Sequence, residues 1–115
     1  MKHLVHGRKF GRERNQRKAF LKGLTRALIE RGRIETTVER AKETRKIAEK
    51  LVTIAKKDSL ANRRRVVRWL DKELSKKLFK DISPRYKERP GGYTRITRIG
   101  SRAGDQADKA VLEFV

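Results

Sequence analysis

Apolar residues are scarce in this sequence, and the spacing of the few that occur constrains the fold more than any other feature. Hydrophobic residues form 36% of the 115 positions, whereas charged residues form 41%. Chains this polar stay disordered unless their apolar residues share a buried face. Here they recur at steps of three and four through two thirds of the chain and alternate near its end. This pattern predicts one folded domain that contains both helices and strands.

The first helix is predicted to begin near Arg14 and to end at Gly32. A glycine that follows an apolar stripe is typical of a left-handed C-terminal cap. Residues 33–38 then alternate β-branched and charged side chains, as a short strand does. The apolar stripe of the helix consists of Phe20, Leu24, Ala27 and Leu28.

A second helix is predicted from about Val38 to Lys57, directly after the strand. Thr36 and Glu39 have the spacing of a capping box, which makes Thr36 the predicted N-cap. The pattern places a set of apolar side chains on the core face of this helix. They are Ala41, Ala48, Leu51, Val52 and Ala55, flanked by Ile47 and Ile54.

A third helix is predicted to begin after Asp58-Ser59, because both residue types cap helices well. The residues around Leu78 predict either a continuation of this helix or a short fourth helix that ends before Ser83-Pro84. The stripe that we assign to the core consists of Leu60, Val67, Leu70 and Leu74.

The last part of the chain predicts a two-strand hairpin. Arg89-Pro90-Gly91-Gly92 is a turn sequence, residues 93–99 are rich in β-branched side chains, and residues 110–115 alternate. The predicted fold class is therefore α+β, in the order helix, strand, three or four helices and a two-strand hairpin. The helices are expected to pack on a small three-stranded sheet. Residues 1–12 are predicted to form a flexible basic N-terminal tail, and residues 13–115 a single domain.

Positive charge indicates the partner. The chain carries 33 Lys and Arg against 14 Asp and Glu, a formal net charge of +19. Such an excess repels itself in a free protein and is offset by a polyanion. The basic residues form three clusters with few acids between them, which indicates a nucleic acid. These clusters lie in residues 1–26, in residues 63–68 and in residues 85–102.

RNA is favoured over DNA, since no helix-turn-helix, zinc-finger or basic-zipper pattern occurs. Tyr86 and Tyr93 lie among arginines, where they either stack on an exposed base or pack over the sheet. Trp69 is predicted to belong to the core. We expect the tail to become ordered only on its RNA. The candidate RNA-binding residues are Lys2, His3, Arg8, Lys9, Arg12, Arg14, Arg17, Lys18, Arg63, Arg64, Arg65, Arg68, Arg85, Tyr86, Arg89, Tyr93, Arg95, Arg98 and Arg102.

Other classes of function lack the residues that they need. The absence of cysteine removes thiolate chemistry and Cys-based metal sites, and His3 with His6 leaves a metal shell incomplete. The glycine-rich segment 100–105 lacks the Lys-Ser/Thr ending of a nucleotide-binding loop. No apolar run exceeds three residues, which excludes a transmembrane helix and a secretory signal. No serine precedes Ser59, whereas mitochondrial presequences are usually rich in serine. We expect no catalytic residues, cofactor, metal, membrane or small-molecule substrate.

Several sequence segments carry a family resemblance that extends over nearly the whole chain. Together they resemble the bacterial ribosomal protein L17 family. The segments are Met1-Lys2-His3, Gly7-Arg8-Lys9, Ile34-Glu35-Thr36-Thr37, Arg40-Ala41-Lys42, Glu49-Lys50-Leu51-Val52-Thr53-Ile54-Ala55-Lys56, Ala61-Asn62-Arg63-Arg64, Lys77-Leu78-Phe79, Pro84-Arg85-Tyr86, Gly91-Gly92-Tyr93-Thr94-Arg95-Ile96 and Arg102-Ala103-Gly104-Asp105. The chain departs at Arg14-Asn15-Gln16-Arg17, where members usually carry Ser-Ser-His-Arg.

The resemblance implies a structural constituent of the bacterial large ribosomal subunit, located in the cytoplasm. It implies contacts with large-subunit ribosomal RNA and with neighbouring ribosomal proteins near the peptide exit tunnel. Composition alone also fits a DNA-compacting protein of the nucleoid type, which binds duplex DNA and does not co-fractionate with ribosomes. An RNA-modifying enzyme is a third class, but it needs a catalytic pair or a cofactor loop, and the sequence offers neither.

Overall fold

The computed structural model describes residues 13–101, 104 and 108–115. The predicted tail therefore lies outside the described residues. The chain forms four α-helices and three β-strands in this part, and the last helix continues into a π-helical and a 3₁₀ turn. The elements are α1 (Arg14–Arg31), β1 (Arg33–Thr37), α2 (Val38–Ala55), α3 (Leu60–Val67), α4 (Lys72–Lys77), the π turn (Leu78–Ile82), the 3₁₀ turn (Ser83–Tyr86), β2 (Thr94–Ser101) and β3 (Asp108–Phe114).

The first helix ends where the sequence predicts. Gly32 has a φ of 82°, and its N–H donates to the carbonyl of Leu28 over 2.7 Å. Only glycine adopts this left-handed conformation without strain, so the chain leaves α1 here and enters β1. The buried side chains of α1 are Leu21, Thr25, Leu28 and Ile29.

The N-cap of α2 is one residue later than predicted. Thr37 has extended backbone angles, and its hydroxyl accepts from the N–H of Arg40 at 3.4 Å. Thr36 is still paired with Ala110 in the sheet, so it precedes the residue that starts the helix. The prediction of Thr36 as the cap is wrong, because strand pairing extends through Thr37.

We expect Thr37→Ala to lower the free energy of unfolding by about 0.5–2 kcal/mol, since a backbone donor of α2 loses its acceptor. The 3.4 Å separation places the effect near the lower end of that range. Urea unfolding followed by circular dichroism measures the change. Thr36→Ala is the matched control. A larger loss of unfolding free energy for Thr36→Ala than for Thr37→Ala would show that Thr36 is the N-cap.

The sheet places β3 in its centre. Its order is β1-β3-β2, and both neighbours run antiparallel to β3. Leu112 of β3 is fully buried and stands opposite Ile34 on one side and Ile96 on the other. The helices pack on this sheet, and α2 contributes the buried face that its spacing predicts. The predicted α+β fold class is confirmed.

The predicted core stripe of α3 is wrong in part. Leu60 is 65% exposed and Val67 is 42% exposed, whereas Val66 and Leu70 are buried. The helix ends at Val67, and Val66 is its one buried residue. A stripe drawn on the assumption of one long helix therefore has the wrong phase.

A short fourth helix follows, as one of the two alternatives predicts. Asp71 caps α4 by accepting from the N–H of Leu74 over 2.8 Å. The helical path does not end before Ser83, however, because the π turn passes directly into the 3₁₀ turn. The Ser83 hydroxyl donates to the carbonyl of Ala55 over 3.2 Å, which ties this turn to the end of α2.

Candidate nucleic-acid interface

A groove of about 330 Å³ collects positive charge from three helical segments. Five cations line it, and no carboxylate among the described residues does so. We call it the basic groove. Its lining residues are Lys18 and Lys22 of α1, Ile47, Lys50, Leu51 and Ile54 of α2, and Arg65, Arg68 and Trp69 at the end of α3.

Trp69 holds two of these lysines. The Nζ atoms of Lys18 and Lys22 lie 5.9 and 5.5 Å from the centre of the indole ring. The Nε of Arg26 donates to the backbone carbonyl of Trp69 over 3.2 Å and so links α1 to the end of α3. The indole packs against the core, as predicted, but it is only half-buried and also lines the groove. Cation–π attraction to an exposed ring is worth about 0.5–1 kcal/mol, which orients the two ammonium groups.

Helical spacing explains why the cations converge. Lys18 and Lys22 are four residues apart and share one face of α1. Arg65 and Arg68 are three residues apart, so both side chains point into the same groove. Lys50, which precedes the buried Leu51 on α2, is the fifth cation that lines the groove. Because no acid neutralises the five charges, the groove favours an anionic occupant.

Lys22 and Lys50 are members of this set that sequence reasoning missed. The four-residue spacing of Lys18 and Lys22 was a usable signal for Lys22, since both must share a helix face. No local signal singles out Lys50 among the exposed cations of α2. Its place in the groove follows from the packing of α2 between α1 and α3.

The remaining arginines of α1 and α3 lie outside the groove. Arg14 is exposed and stands one helical turn before Lys18, so it extends the same face of α1. Arg17 is half-buried and Arg64 is exposed. None of these three candidates lines the basic groove.

Arg63 is engaged within the chain. Its Nε and Nη2 atoms donate to the two carboxylate oxygens of Asp58 over 2.6 and 2.8 Å. The hydrogen bond from Arg63 lowers the pKa of Asp58, and the same bond raises the pKa of Arg63. A phosphate that binds Arg63 must therefore compete with the Asp58 carboxylate. Arg63 lies in a different groove from Arg65 and Arg68.

The third predicted cluster does not line the basic groove. The Nε of Arg85 donates to the carbonyl of Asp81 over 3.2 Å. The Nε of Arg89 donates to the carbonyl of Gly91 over 3.2 Å, within a turn in which Gly91 and Gly92 have φ values of 137° and 64°. On the hairpin, Arg95 forms a 3.3 Å ion pair with Glu113, and Arg98 is exposed.

The two candidate tyrosines are core residues. Tyr86 is 3% exposed and Tyr93 is 2% exposed, with their ring centres 5.2 Å apart. The Tyr86 hydroxyl donates to the carbonyl of Val115, while Tyr93 accepts from Lys56 over 3.0 Å. The prediction that these rings stack on an exposed base is therefore wrong, because neither ring has a face exposed to solvent. The alternative, packing against the sheet, describes both rings.

The two phenols are expected to ionise at different pH values. Hydrogen bonds with Thr53 and then with Lys56 lower the pKa of Tyr93, whereas burial raises the pKa of Tyr86. The tyrosine left in Tyr86→Phe should therefore ionise at a lower pH than the one left in Tyr93→Phe. Ultraviolet absorbance titration of the two variants measures this order. The reverse order would contradict the hydrogen bonding at Tyr93.

Some candidates lie outside the described residues. They are Lys2, His3, Arg8, Lys9, Arg12 and Arg102. In the part of the chain that the structure describes, no group of three or more His, Cys, Asp and Glu side chains is arranged to hold a metal. The described helices include none that is both long and apolar enough to cross a membrane.

Comparison with known proteins places the chain beside one family. The sequence model of the family described as Ribosomal protein L17 matches residues 20–115. A protein of Dictyoglomus thermophilum named large ribosomal subunit protein bL17 is 53% identical, and the match covers both chains completely. Proteins of the same name from Thermodesulfovibrio yellowstonii and Fusobacterium nucleatum are 53% and 50% identical. Both matches cover all of this chain, with 87% and 100% of the relatives.

Proposed function

Since the chain belongs to the ribosomal protein L17 family, we propose that it binds large-subunit ribosomal RNA through the basic groove. Membership makes it a structural constituent of the large ribosomal subunit that serves translation, and not an enzyme. Its location is accordingly the ribosome, in the cytoplasm, and its partners are ribosomal RNA and ribosomal proteins. The RNA surface on this chain is the part that we propose.

One observation carries the choice of surface. Five cations from α1, α2 and the end of α3 face one groove without an acidic neighbour among the described lining residues. Lys ammonium groups attract phosphates as compact charges, and Arg65 and Arg68 can each grip two phosphate oxygens with a planar fork. Such contacts follow the RNA backbone and its shape rather than its base sequence.

The proposal includes further contacts around the groove. Arg14 and Arg17 of α1 and Arg64 of α3 contribute from two of the helices that form the groove, and Arg63 joins them where phosphate displaces Asp58. We further propose that residues 13–115 act as a single RNA-binding domain to which residues 1–12 add contacts. The remaining proposed RNA-contact residues are Lys2, His3, Arg8, Lys9, Arg12, Arg85, Arg89, Arg95, Arg98 and Arg102.

The proposed position in the subunit is near the peptide exit tunnel, beside neighbouring ribosomal proteins. The family resemblance of the sequence supports this position. A position between ribosomal RNA and other ribosomal proteins accounts for a chain that has both a strongly basic groove and exposed apolar side chains.

Sedimentation of a cell extract through a high-salt sucrose gradient tests the proposal. High salt removes proteins that are held only by diffuse charge, because each phosphate contact adds to the salt dependence. We expect the chain to stay in the large-subunit peak. Release to the top of the gradient would contradict specific docking, and migration with DNA would instead favour a DNA-compacting protein.

A further inference from the structure

A second groove, of about 520 Å³, lies between α3, α4 and the π turn. We call it the α3–α4 groove. Both grooves have apolar and cationic lining residues, but the cations of this groove are lysines of α4 and the π turn together with Arg63. Its lining residues are Asp58, Arg63, Val67, Lys72, Ser75, Lys76, Phe79 and Lys80.

Exposed apolar side chains mark this surface. Val67 lines the α3–α4 groove and is 42% exposed, and Leu60 is 65% exposed. Leu60 and Val67 are seven residues apart, so they lie two helical turns apart on the same face of α3. Apolar surface of this kind, next to a concave site and edged by charge, is typical of a contact with another protein. Phe79, the aromatic residue of the lining, is half-buried and packed against the core.

The charge at the edge of the α3–α4 groove is positive, and acids among the described residues do not neutralise it. Lys72, Lys76 and Lys80 follow one another at steps of four residues, and none makes an ion pair among the described residues. Asp58 is the only carboxylate among the described lining residues, and both of its oxygens accept hydrogen bonds from Arg63. An occupant with its own carboxylates therefore meets three free ammonium groups.

Ser75 is a buried polar residue in the lining of the α3–α4 groove. Its residue is 5% exposed, and its hydroxyl has no hydrogen-bond partner in the described part of the chain. A buried hydroxyl without a partner costs about 1–3 kcal/mol. The hydroxyl oxygen is covered in this structure, so a polar group of an occupant reaches it only if the Ser75 side chain rotates.

We propose that the α3–α4 groove docks a segment of a neighbouring large-subunit protein that carries an apolar side chain between carboxylates. The apolar side chain lies against Val67 and Phe79, and the carboxylates pair with Lys72, Lys76 and Lys80. The inference rests on assembly of the chain into the large subunit. It does not depend on RNA binding by the basic groove.

Photo-crosslinking in intact ribosomes tests this assignment. A diazirine-bearing amino acid replaces Val67 in the full-length chain, and purified large subunits are irradiated, because the resulting carbene inserts into protein and RNA alike. We expect a protein adduct whose crosslinked peptide contains Asp or Glu beside an apolar residue. An RNA adduct, a peptide without carboxylates, or no adduct would overturn the proposal.

Two matched variants make the result specific. Lys76→Glu combined with the diazirine at Val67 should reduce the yield of the protein adduct severalfold, since like charges then face each other. An unchanged yield would contradict the charge pairing. If the Val67 variant does not assemble, the diazirine is placed at the more exposed Leu60, with the same expected adduct and the same contradicting outcomes.

The same diazirine at Lys50 separates the two proposals. RNA adducts from Lys50 with no adduct from Val67 would support the basic groove and overturn the docking site. A protein adduct from Val67 with no RNA adduct from Lys50 would have the opposite meaning. If neither the Val67 variant nor the Lys50 variant sediments in the large-subunit peak, the proposed assembly itself is contradicted.

Discussion

Replacing Lys18, Lys22 and Lys50 together by Ala is expected to reduce the salt dependence of RNA binding by about two to three units. Each lysine that leaves the basic groove removes one phosphate contact, and each contact contributes about 0.7–0.9 to the slope of log K against log salt. Affinity near physiological salt should fall roughly tenfold to a hundredfold. Titration of large-subunit ribosomal RNA over a series of salt concentrations measures both quantities.

A second triple variant distinguishes the groove from diffuse charge. Lys72, Lys76 and Lys80 replaced by Ala remove the same number of charges from the α3–α4 groove, where we expect protein rather than RNA. This control should leave the salt slope nearly unchanged. Equal slopes for the two triple variants would contradict the assignment of RNA to the basic groove and leave only the net charge as the cause. Thermal unfolding checks that both variants stay folded.

Leu112→Ala is expected to lower the free energy of unfolding by about 2–5 kcal/mol. Leu112 is fully buried in the central strand, where Ile34 and Ile96 stand opposite it from the two neighbouring strands. Truncation leaves a cavity that neither β1 nor β2 can fill without giving up its ladder. Urea unfolding followed by circular dichroism measures the loss.

Leu60→Ala is the matched control for this prediction. Leu60 is 65% exposed, so its truncation should change the stability by no more than about 0.5 kcal/mol. The sequence alone assigned Leu60 to the core. A large loss at Leu60, or a small one at Leu112, would mean that the burial of α3 and of the central strand is the reverse of what the structure shows.

The elements predicted correctly have local causes. Gly32 ends α1 because a left-handed residue is needed at that point, and Ser59 caps α3 because its hydroxyl reaches the N–H of Asn62. The apolar spacing of α2 places Ala48 and Leu51 on its buried face. Each of these effects acts within a few residues, so the sequence predicts it without knowledge of the rest of the fold.

The errors arise where a distant segment decides. Thr36 has good capping chemistry, but its pairing with Ala110 keeps it in the strand. Leu60 and Val67 belong to an apolar pattern, but α3 turns a different face to α2 and ends before the pattern does. Tyr86 and Tyr93 lie among arginines in sequence, yet the end of the chain and α2 cover them.

The sequence predicted a basic surface, but it did not predict which residues line the groove. Lys18, Arg65 and Arg68 stand out in the sequence because they occur in basic clusters. Lys50 joins them only because α2 packs between α1 and α3, and Arg63 leaves them because Asp58 binds its guanidinium.

The sequence by itself determined the excess of positive charge, the succession of helices and strands, and the polyanionic nature of the partner. Net charge and apolar periodicity are properties of the residues within each segment, so they do not depend on how the helices and strands are arranged in space. Only the tertiary structure decided which cations share a groove, which apolar side chains of α3 remain exposed, and which aromatic rings are buried. These properties depend on contacts such as that between Arg26 of α1 and Trp69 just after α3, which are 43 residues apart, and no local pattern encodes such contacts.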